Sequence, residues 1–466
     1  MRKSYERPTI QKLESGHMNK FAHAPDAART VRSQIGGVDI DDLVGEYGSP
    51  LFVYSERDLR ERYRTLYEAF ASRYPNVQFA WSYKTNYIAA ICAIMHQEGS
   101  LAEVVSPMEY EKARELGIPG EQIIFNGPRK PLAALERAIR EGASINIDHY
   151  DELRDVEEVA EKLGIPAKVG MRVNMDTGIQ PQWSRFGFNL ENGEARRAIE
   201  LMRRAGLVTL NGLHCHIGTY IMDPSAYRTQ VTKLAAFARE LRSDLGIWID
   251  YLDIGGGFPS HSRLKGTYFS PDVSLPGIDE YAEAVTEALQ EGIDPENAPR
   301  LIVESGRALI DEAGSLISSV WARKRLPDGT RAYIVDAGLN LLFTSFWYKF
   351  TIATDRPIPG PSEPCVLYGP LCMNIDVVDE AAHLPPLARD DRLVISPVGA
   401  YNNTQWLQFI DYRPNVVLVG EDGQVDLIRE AEDLTDMTRR ERLPERLMTG
   451  WGANATEPSA CHIAAE

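Results

Sequence analysis

Four short stretches of this chain carry residue types and spacings suited to chemistry. The first is a lysine, Lys84, set in the run QFAWSYKTNY at 78–87. The opening half of that run is apolar and aromatic with no turn former, which reads as a buried strand. A lone lysine leaving such a strand ordinarily goes to solvent. Held in a pocket instead, it is desolvated, its pKa falls, and its neutral amine becomes a nucleophile. The second stretch is His214-Cys215-His216-Ile217-Gly218-Thr219, at the end of another expected strand. Its two histidines share a face, which suits a metal or a satisfied core position equally. The third, Asp253-Ile254-Gly255-Gly256-Gly257-Phe258, puts three glycines directly after a strand, where backbone N–H groups can approach an anion. The fourth is Glu304-Ser305-Gly306-Arg307. A carboxylate there can accept from a ring N–H, and an arginine can pair with a phosphate or carboxylate, or simply with the glutamate. Each signal alone is weak. Jointly they supply an amine, a flat-ring partner, a phosphate cradle and a carboxylate, which are the needs of a pyridoxal 5'-phosphate (PLP) site.

Such groups must be held at one mouth, and the rhythm of the chain offers one. Strands are expected at 51–54, 78–83, 101–105, 123–125, 144–147, 167–173, 210–216, 248–254 and 300–304. Amphipathic helices lie between them, for example at 106–116, 131–141 and 150–163. About eight strand–helix units over roughly 250 residues predict a (β/α)8 TIM-like barrel, in which function collects at the carboxyl ends of the strands. After about residue 311 the segments become short strands (315–322, 331–335, 365–369, 392–395, 415–419), until a helix expected at 433–442 and ended by Pro444. The predicted class is therefore α/β plus β, with a second, mostly β domain of barrel or sandwich type. The expected division is a polar extension at 1–37, the barrel at 38–310, the β-domain at 311–446 and a mobile tail at 447–466. The first fifteen or so residues of the barrel segment are candidates to pack on the β-domain.

Composition narrows the partners. The 466 residues carry a formal net charge of −17, which argues against nucleic acid and anionic membranes. No apolar run approaches the ~20 residues that span a bilayer, and the first residues lack the apolar core of a signal peptide. Five cysteines without tight spacing suggest reduced thiols and a cytoplasmic setting. No CxxC pair or other compact metal signature is visible, and no metal is expected.

The order of motifs is more specific. YKTN, AEVVSPMEYEKA, IIFNGPRK, INIDHYDEL, MRVN, SRFGF, LHCHIGT, LDIGGGFP, VESGRALI, VDAGLN, GPLCMNIDVV and GAYNNTQW follow one another from about residue 40 to about residue 430. In that order they resemble the fold-type III PLP-dependent decarboxylases, the group that holds diaminopimelate, ornithine and arginine decarboxylases and is related to alanine racemase. The resemblance implies a role for each matching residue. Lys84 holds the cofactor covalently, and His216 stacks on its ring. Thr219, where the family usually has serine, and Gly255, Gly256 and Gly257 bind the phosphate. Glu304 meets the ring nitrogen. Gly306 and Arg307 lie beside it, the arginine contacting phosphate or substrate carboxylate. Glu103 replaces the usual aspartate near the cofactor, Arg172 is a neighbour, and Tyr401 reaches the phosphate from the second domain. Cys372, contributed across a homodimer interface, protonates the carbanion left by CO2, so the active site is shared between two subunits.

The departures bear on the substrate. Diaminopimelate decarboxylases follow the catalytic cysteine with a glutamate that reads the distal amino group; this chain has Met373. They also carry an arginine for the distal carboxylate after the DAGxN motif; Thr344 stands there. Ornithine-type enzymes have an acidic residue after the cysteine and an Asp before Gly338, where this chain has Met373 and Ala337. Phe343, Phe346, Trp347, Tyr348 and Trp406 make one side of the pocket apolar. A free distal ammonium would be desolvated there without a partner. The expected substrate is therefore an amino acid with a capped, neutral or carrier-conjugated distal end, of siderophore- or antibiotic-pathway type, met by Thr344, Tyr348 and Met373. Lys349 or Asp376 would change this by supplying the missing charge. The alternatives are diaminopimelate itself, a racemase on the same barrel, and a non-catalytic regulator, which the presence of Lys84, His216, Glu304 and Cys372 disfavours.

Overall fold

The structure is a computed structural model that describes residues 31–447, apart from 180, 268–270, 295 and 297. Most of the extension expected at 1–37 and of the tail expected at 447–466 therefore lies outside the described residues. Residues 31–37 are not a loose arm. Gln34–Ile35 pairs antiparallel with Val38–Asp39. The turn between is Gly36-Gly37, both at positive φ (61° and 90°), the glycine-pair signature of a tight hairpin. Ile35 is buried.

Eight parallel strands close into a barrel: β1 (Val77–Ser82), β2 (Leu101–Val104), β3 (Ile123–Phe125), β4 (Ser144–Ile147), β5 (Ala167–Asn174), β6 (Val208–His214), β7 (Tyr251–Asp253) and β8 (Arg300–Val303). Each pairs with the next, and β8 pairs with β1. Both faces of these strands are buried, as parallel strands under a ring of helices must be. Side-chain parity then sorts the residues. In β1, Phe79 and Trp81 join the large core under the helices, whereas Ala80 meets Ile124, Tyr251 and Ile302 inside the barrel. Gly212 in β6 leaves room for the Tyr251 ring: a Cβ there would lie 2.0 Å from its Cζ. Two residues further along each strand, the same inward face carries Ser82, Asn126, His214, Asp253 and Glu304. The apolar layer is thus capped by a polar one at the carboxyl ends.

The helices start and stop on local signals. Ser106 caps Pro107–Glu115 by accepting from Glu109 N, and Asp223 caps Pro224–Leu245 by accepting from Ser225 N. Gly164 and Gly246 end their helices at φ 64° and 67°. The helix expected at 433–442 is only Leu434–Thr438. None of its residues is buried, so no packing extends it.

The second domain is built on a strand from the start of the chain. Leu51–Ser55 lies between Gly314–Arg325 (antiparallel) and Val416–Val419 (parallel). It acts as a partition by parity. Leu51 and Val53 face an inner core with Ile35, Ile40, Leu43, Val394 and Val417. Phe52 and Tyr54 face the core shared with the barrel. Among the described residues no helix is long and apolar enough to cross a membrane.

Candidate active site

Lys84 lies in the one-turn 3-10 helix Tyr83–Thr85 that follows β1. Its backbone is clamped from the second domain: Tyr401 N donates to Thr85 O (2.8 Å) and the Thr404 hydroxyl to Lys84 O (2.8 Å). Asn86, fully buried, donates to the Tyr54 hydroxyl (2.9 Å). The lysine side chain is left to turn inward, where Nζ lies 2.5 Å from Glu103 Oε2. The same oxygen accepts from Ser82 Oγ at 2.5 Å, and Asn126 Nδ2 reaches Glu103 Oε1 at 3.1 Å. The expectation that this amine is poised neutral by desolvation is overturned. Burial does act to lower it, but Glu103, then Glu304 and Tyr401, outweigh burial and raise the ammonium above its ordinary value. In the cofactor-free protein Lys84 is an ammonium held by carboxylates, and losing that charge is part of joining a carbonyl partner.

Glu304 follows β8. Its Oε1 accepts from Asn126 Nδ2 (2.5 Å), and its Oε2 lies 3.4 Å from His214 Nε2. Burial opposes its charge, yet His214 and Lys84 hold it well below the usual carboxylate range. Asn126 itself is oriented by Asn146, whose Nδ2 reaches Asn126 Oδ1 at 2.8 Å. Tyr251 donates in turn to Asn146 Oδ1 (2.8 Å). His214 faces Glu304 rather than acting together with His216, so the two histidines do not share a ligand.

His216 lies just past β6, where the expected strand at 210–216 has already ended. The Gly256 N–H donates to its Nδ1 at 3.1 Å, which leaves the ring proton on Nε2. Burial, with Arg172 and Lys84 nearby, lowers His216 to about 3, so its ring stays neutral at working pH. Trp183 meets it edge to face at 5.3 Å. The sign of the pH effect follows. The folded protein refuses a proton that the unfolded chain accepts below 6.5, so stability falls as pH drops from about 6.5 toward 3. In the cofactor-free protein, the drop in melting temperature across that window is expected to be smaller in His216→Phe than in wild type; equal slopes would contradict it.

The triple glycine is a close-approach device. A Cβ on Gly255 would lie 2.7 Å from His216 Nδ1, and one on Gly256 would lie 2.1 Å from the Glu304 carbonyl oxygen. Gly255 N donates to Asp253 Oδ1 (2.9 Å) and Glu304 N to Gly255 O (2.8 Å), which lashes β7 and β8 together at the mouth. Gly257 is equally confined, and Thr219 is exposed at the rim. Gly306 packs its Cα against Thr85.

Arg307 is buried and pairs with Asp311 (3.1 Å). Its guanidinium lies 4.3 Å from the Tyr348 ring and 5.1 Å from the Tyr401 ring. Asp311 is otherwise taken by Ser260 (2.5 Å), Ser262 (2.6 Å) and Ala400 N (3.1 Å). Arg307 Nε keeps no partner among the described residues, so the guanidinium is aimed and available. Tyr401 holds φ at 68°, a strained value for a tyrosine that the surrounding bonds impose. Arg172 stacks on Phe186 at 4.4 Å and lies 3.6 Å from Asp148.

The expected substrate wall is only partly brought to the site. Tyr348 is there. Thr344 is not available: it is buried, and its hydroxyl and amide both donate to Asn402 Oδ1 (2.9 and 3.2 Å). Asp376 supplies no missing charge either. Its carboxylate is buried and accepts from Leu339 N (2.6 Å) and Leu371 N (2.8 Å). It thereby buckles the loop that presents Cys372 and Met373 outward, Cys372 being exposed. Asn126, Asn146, Tyr251, Asp253, His214 as Glu304's neighbour, and Asp311 had no assigned role in the sequence. For the first five the signal was parity, each lying on the inward face within two residues of the carboxyl end of a strand; Asp311, in the turn Asp311–Ala313 well past β8, carried no such signal.

The donor set fits PLP: an amine, a neutral imidazole, a buried carboxylate, glycines in close contact and a guanidinium with an unpartnered nitrogen. Comparison agrees. The profile described as pyridoxal-dependent decarboxylase, pyridoxal binding domain, matches residues 57–311. The diaminopimelate decarboxylase of Methanothermobacter thermautotrophicus is 30% identical over 429 residues, covering 89% of this chain and 96% of that protein. That of Bacillus subtilis is 30% identical over 427 residues, covering 87% and 94%. A crystal structure of the Methanocaldococcus jannaschii enzyme of the same name superposes with a TM-score of 0.81 at 29% identity, covering 90% and 99%.

Proposed function

The chain belongs to the pyridoxal-dependent decarboxylases, and from that premise we propose that it removes the α-carboxylate of an amino acid whose distal end carries no free ammonium. It is a PLP-dependent carboxy-lyase. When bound, the cofactor supplies an aldehyde that takes up an amine nitrogen and a ring that accepts the electron pair released with CO2. The residues of the chain divide the remaining work. Lys84 would provide the amine, and Glu304 would hold a proton at the ring nitrogen. His216 would lie against the ring, and Gly255, Gly256, Gly257 and Thr219 would hold the phosphate. Arg307, set between Tyr348 and Tyr401, orients an anionic group. Cys372 delivers a proton to the α-carbon from a neighbouring copy. Its exposure, and that of Phe346 (48%), Trp347 (49%) and Ile375 (56%), supports a homodimer that buries this face.

The observation that carries the substrate reading is Thr344 bonded to Asn402, together with Met373 after the cysteine. Leaving one charge of a buried pair unpartnered costs roughly 3–5 kcal/mol, or about 10²- to 10⁴-fold in turnover. A second reading, diaminopimelate, is favoured by the name shared by the relatives. CO2 release from a panel of free and N-acylated diamino acids separates the two. Capped substrates are expected to turn over faster; a faster rate with free diaminopimelate would establish the second reading. Met373→Glu is expected to raise turnover of free diamino acids by about ten- to a hundredfold by restoring a charged acceptor.

A further inference from the structure

Around Glu304 lies a cluster whose other two members, His214 and Asp253, are not among the residues proposed to touch cofactor or substrate. His214 from β6, Asp253 from β7 and Glu304 after β8 bring one polar atom each to within 4.8 Å of one another, and all three residues are buried. Asp253 Oδ1 accepts from Gly255 N, while its Oδ2, fully enclosed, has no hydrogen-bond partner among the described residues. His214 likewise has neither ring nitrogen in a hydrogen bond among the described residues, its Nε2 lying 3.4 Å from Glu304 Oε2. A native interior rarely leaves so many enclosed polar atoms unmatched, and two neighbouring carboxylates cannot both stay charged in one dry site.

We propose that His214 and Asp253 are positioning residues: one proton shared across the cluster on the Asp253 side lets Asp253 and His214 brace Glu304 so that its carboxylate faces the ring nitrogen. Parity places both residues on the inward face, and the close glycine contacts fix their backbones. The other groups facing the cluster are Lys84, Glu103, Asn126, His216 and Tyr251. Lys84 draws negative charge to Glu304, and Glu103 adds to the repulsion that keeps Asp253 neutral. Burial, then Glu304, pushes Asp253 well above the carboxylate range, in line with this placement.

The proposal rests on Glu304 meeting the ring nitrogen, so the test includes Glu304→Gln. Full-length enzyme is loaded with cofactor labelled with 15N in the ring, and the ring-nitrogen shift is titrated with pH. Glu304→Gln should lower the apparent pKa of that nitrogen strongly. Asp253→Leu and His214→Phe should lower it by about one unit, a tenfold change in protonation, while Asp253→Asn, which keeps a donor, stays near wild type. The kcat of Asp253→Leu should fall about tenfold with KM unchanged. If Glu304→Gln shifts the titration but Asp253→Leu and His214→Phe do not, the proposal is wrong. If Glu304→Gln itself has no effect, the ring-nitrogen reading of Glu304 fails instead. Should Asp253→Leu not fold, infrared difference spectra decide. A protonated carboxyl band at neutral pH, present in wild type and absent in Asp253→Asn, supports the shared proton; its absence from wild type overturns it.

Discussion

Lys84→Ala is expected to abolish covalent cofactor binding and to lower kcat by roughly 10²- to 10⁴-fold, the range of a lost amine that also moves protons. The geometry isolates the effect to the side chain. The backbone of residue 84 is held by Thr404 and that of Thr85 by Tyr401, bonds that alanine keeps. Glu103 would lose its ammonium partner but retain Ser82 and Asn126. Because Glu103, only 1% exposed, is left as a buried charge without its ammonium, the cofactor-free variant should also lose about 3–5 kcal/mol of stability. Borohydride treatment followed by peptide mass spectrometry checks the chemistry. Wild type should carry the reduced cofactor on the peptide containing Lys84, and the variant should carry none. An unlabelled lysine in the wild-type holoenzyme would end the reading of this site.

Gly256→Ala has the second largest expected effect, through cofactor affinity. Its Cβ would lie 2.1 Å from a backbone oxygen, that of Glu304, which cannot swing aside. The end of β8 or the glycine loop must move, and the cost of such overpacking is about 1–3 kcal/mol. Two things move with it: the N–H that fixes the His216 tautomer, and the carboxylate of Glu304. The dissociation constant for PLP should therefore rise by about ten- to a hundredfold, measured by titrating cofactor-free enzyme and following visible absorbance. Gly164→Ala, at a left-handed helix end with open space around it, strains the backbone without close contact and serves as the control for a destabilising alanine far from the mouth. Equal effects at both positions would show that close approach at the mouth does not matter.

The gap between sequence and structure is clearest at Lys84. Desolvation was legible from a lysine behind an apolar strand, and it pointed to a lowered pKa. What reverses it is Glu103 of β2, a carboxylate brought to 2.5 Å by the pairing of β2 with β1, which sets Glu103 opposite Ser82. Thr344 shows the same gap in the opposite sense. Its place just after the DAGxN motif suggested a substrate contact, but a bond to Asn402, 58 positions away, occupies its hydroxyl. Asp376 likewise read as a spare charge and proves to be a loop buckle.

The alternation of strands and helices and the motif order were written in the chain, because hydrophobic period and turn residues act locally. The barrel, the cofactor and the reaction class followed from them. Charge states, tautomers and which side chains are free to act were decided only by the fold. Electrostatic and hydrogen-bonding terms depend on distances of a few ångströms between groups such as Glu304 and Asn126 that the sequence separates by 178 positions.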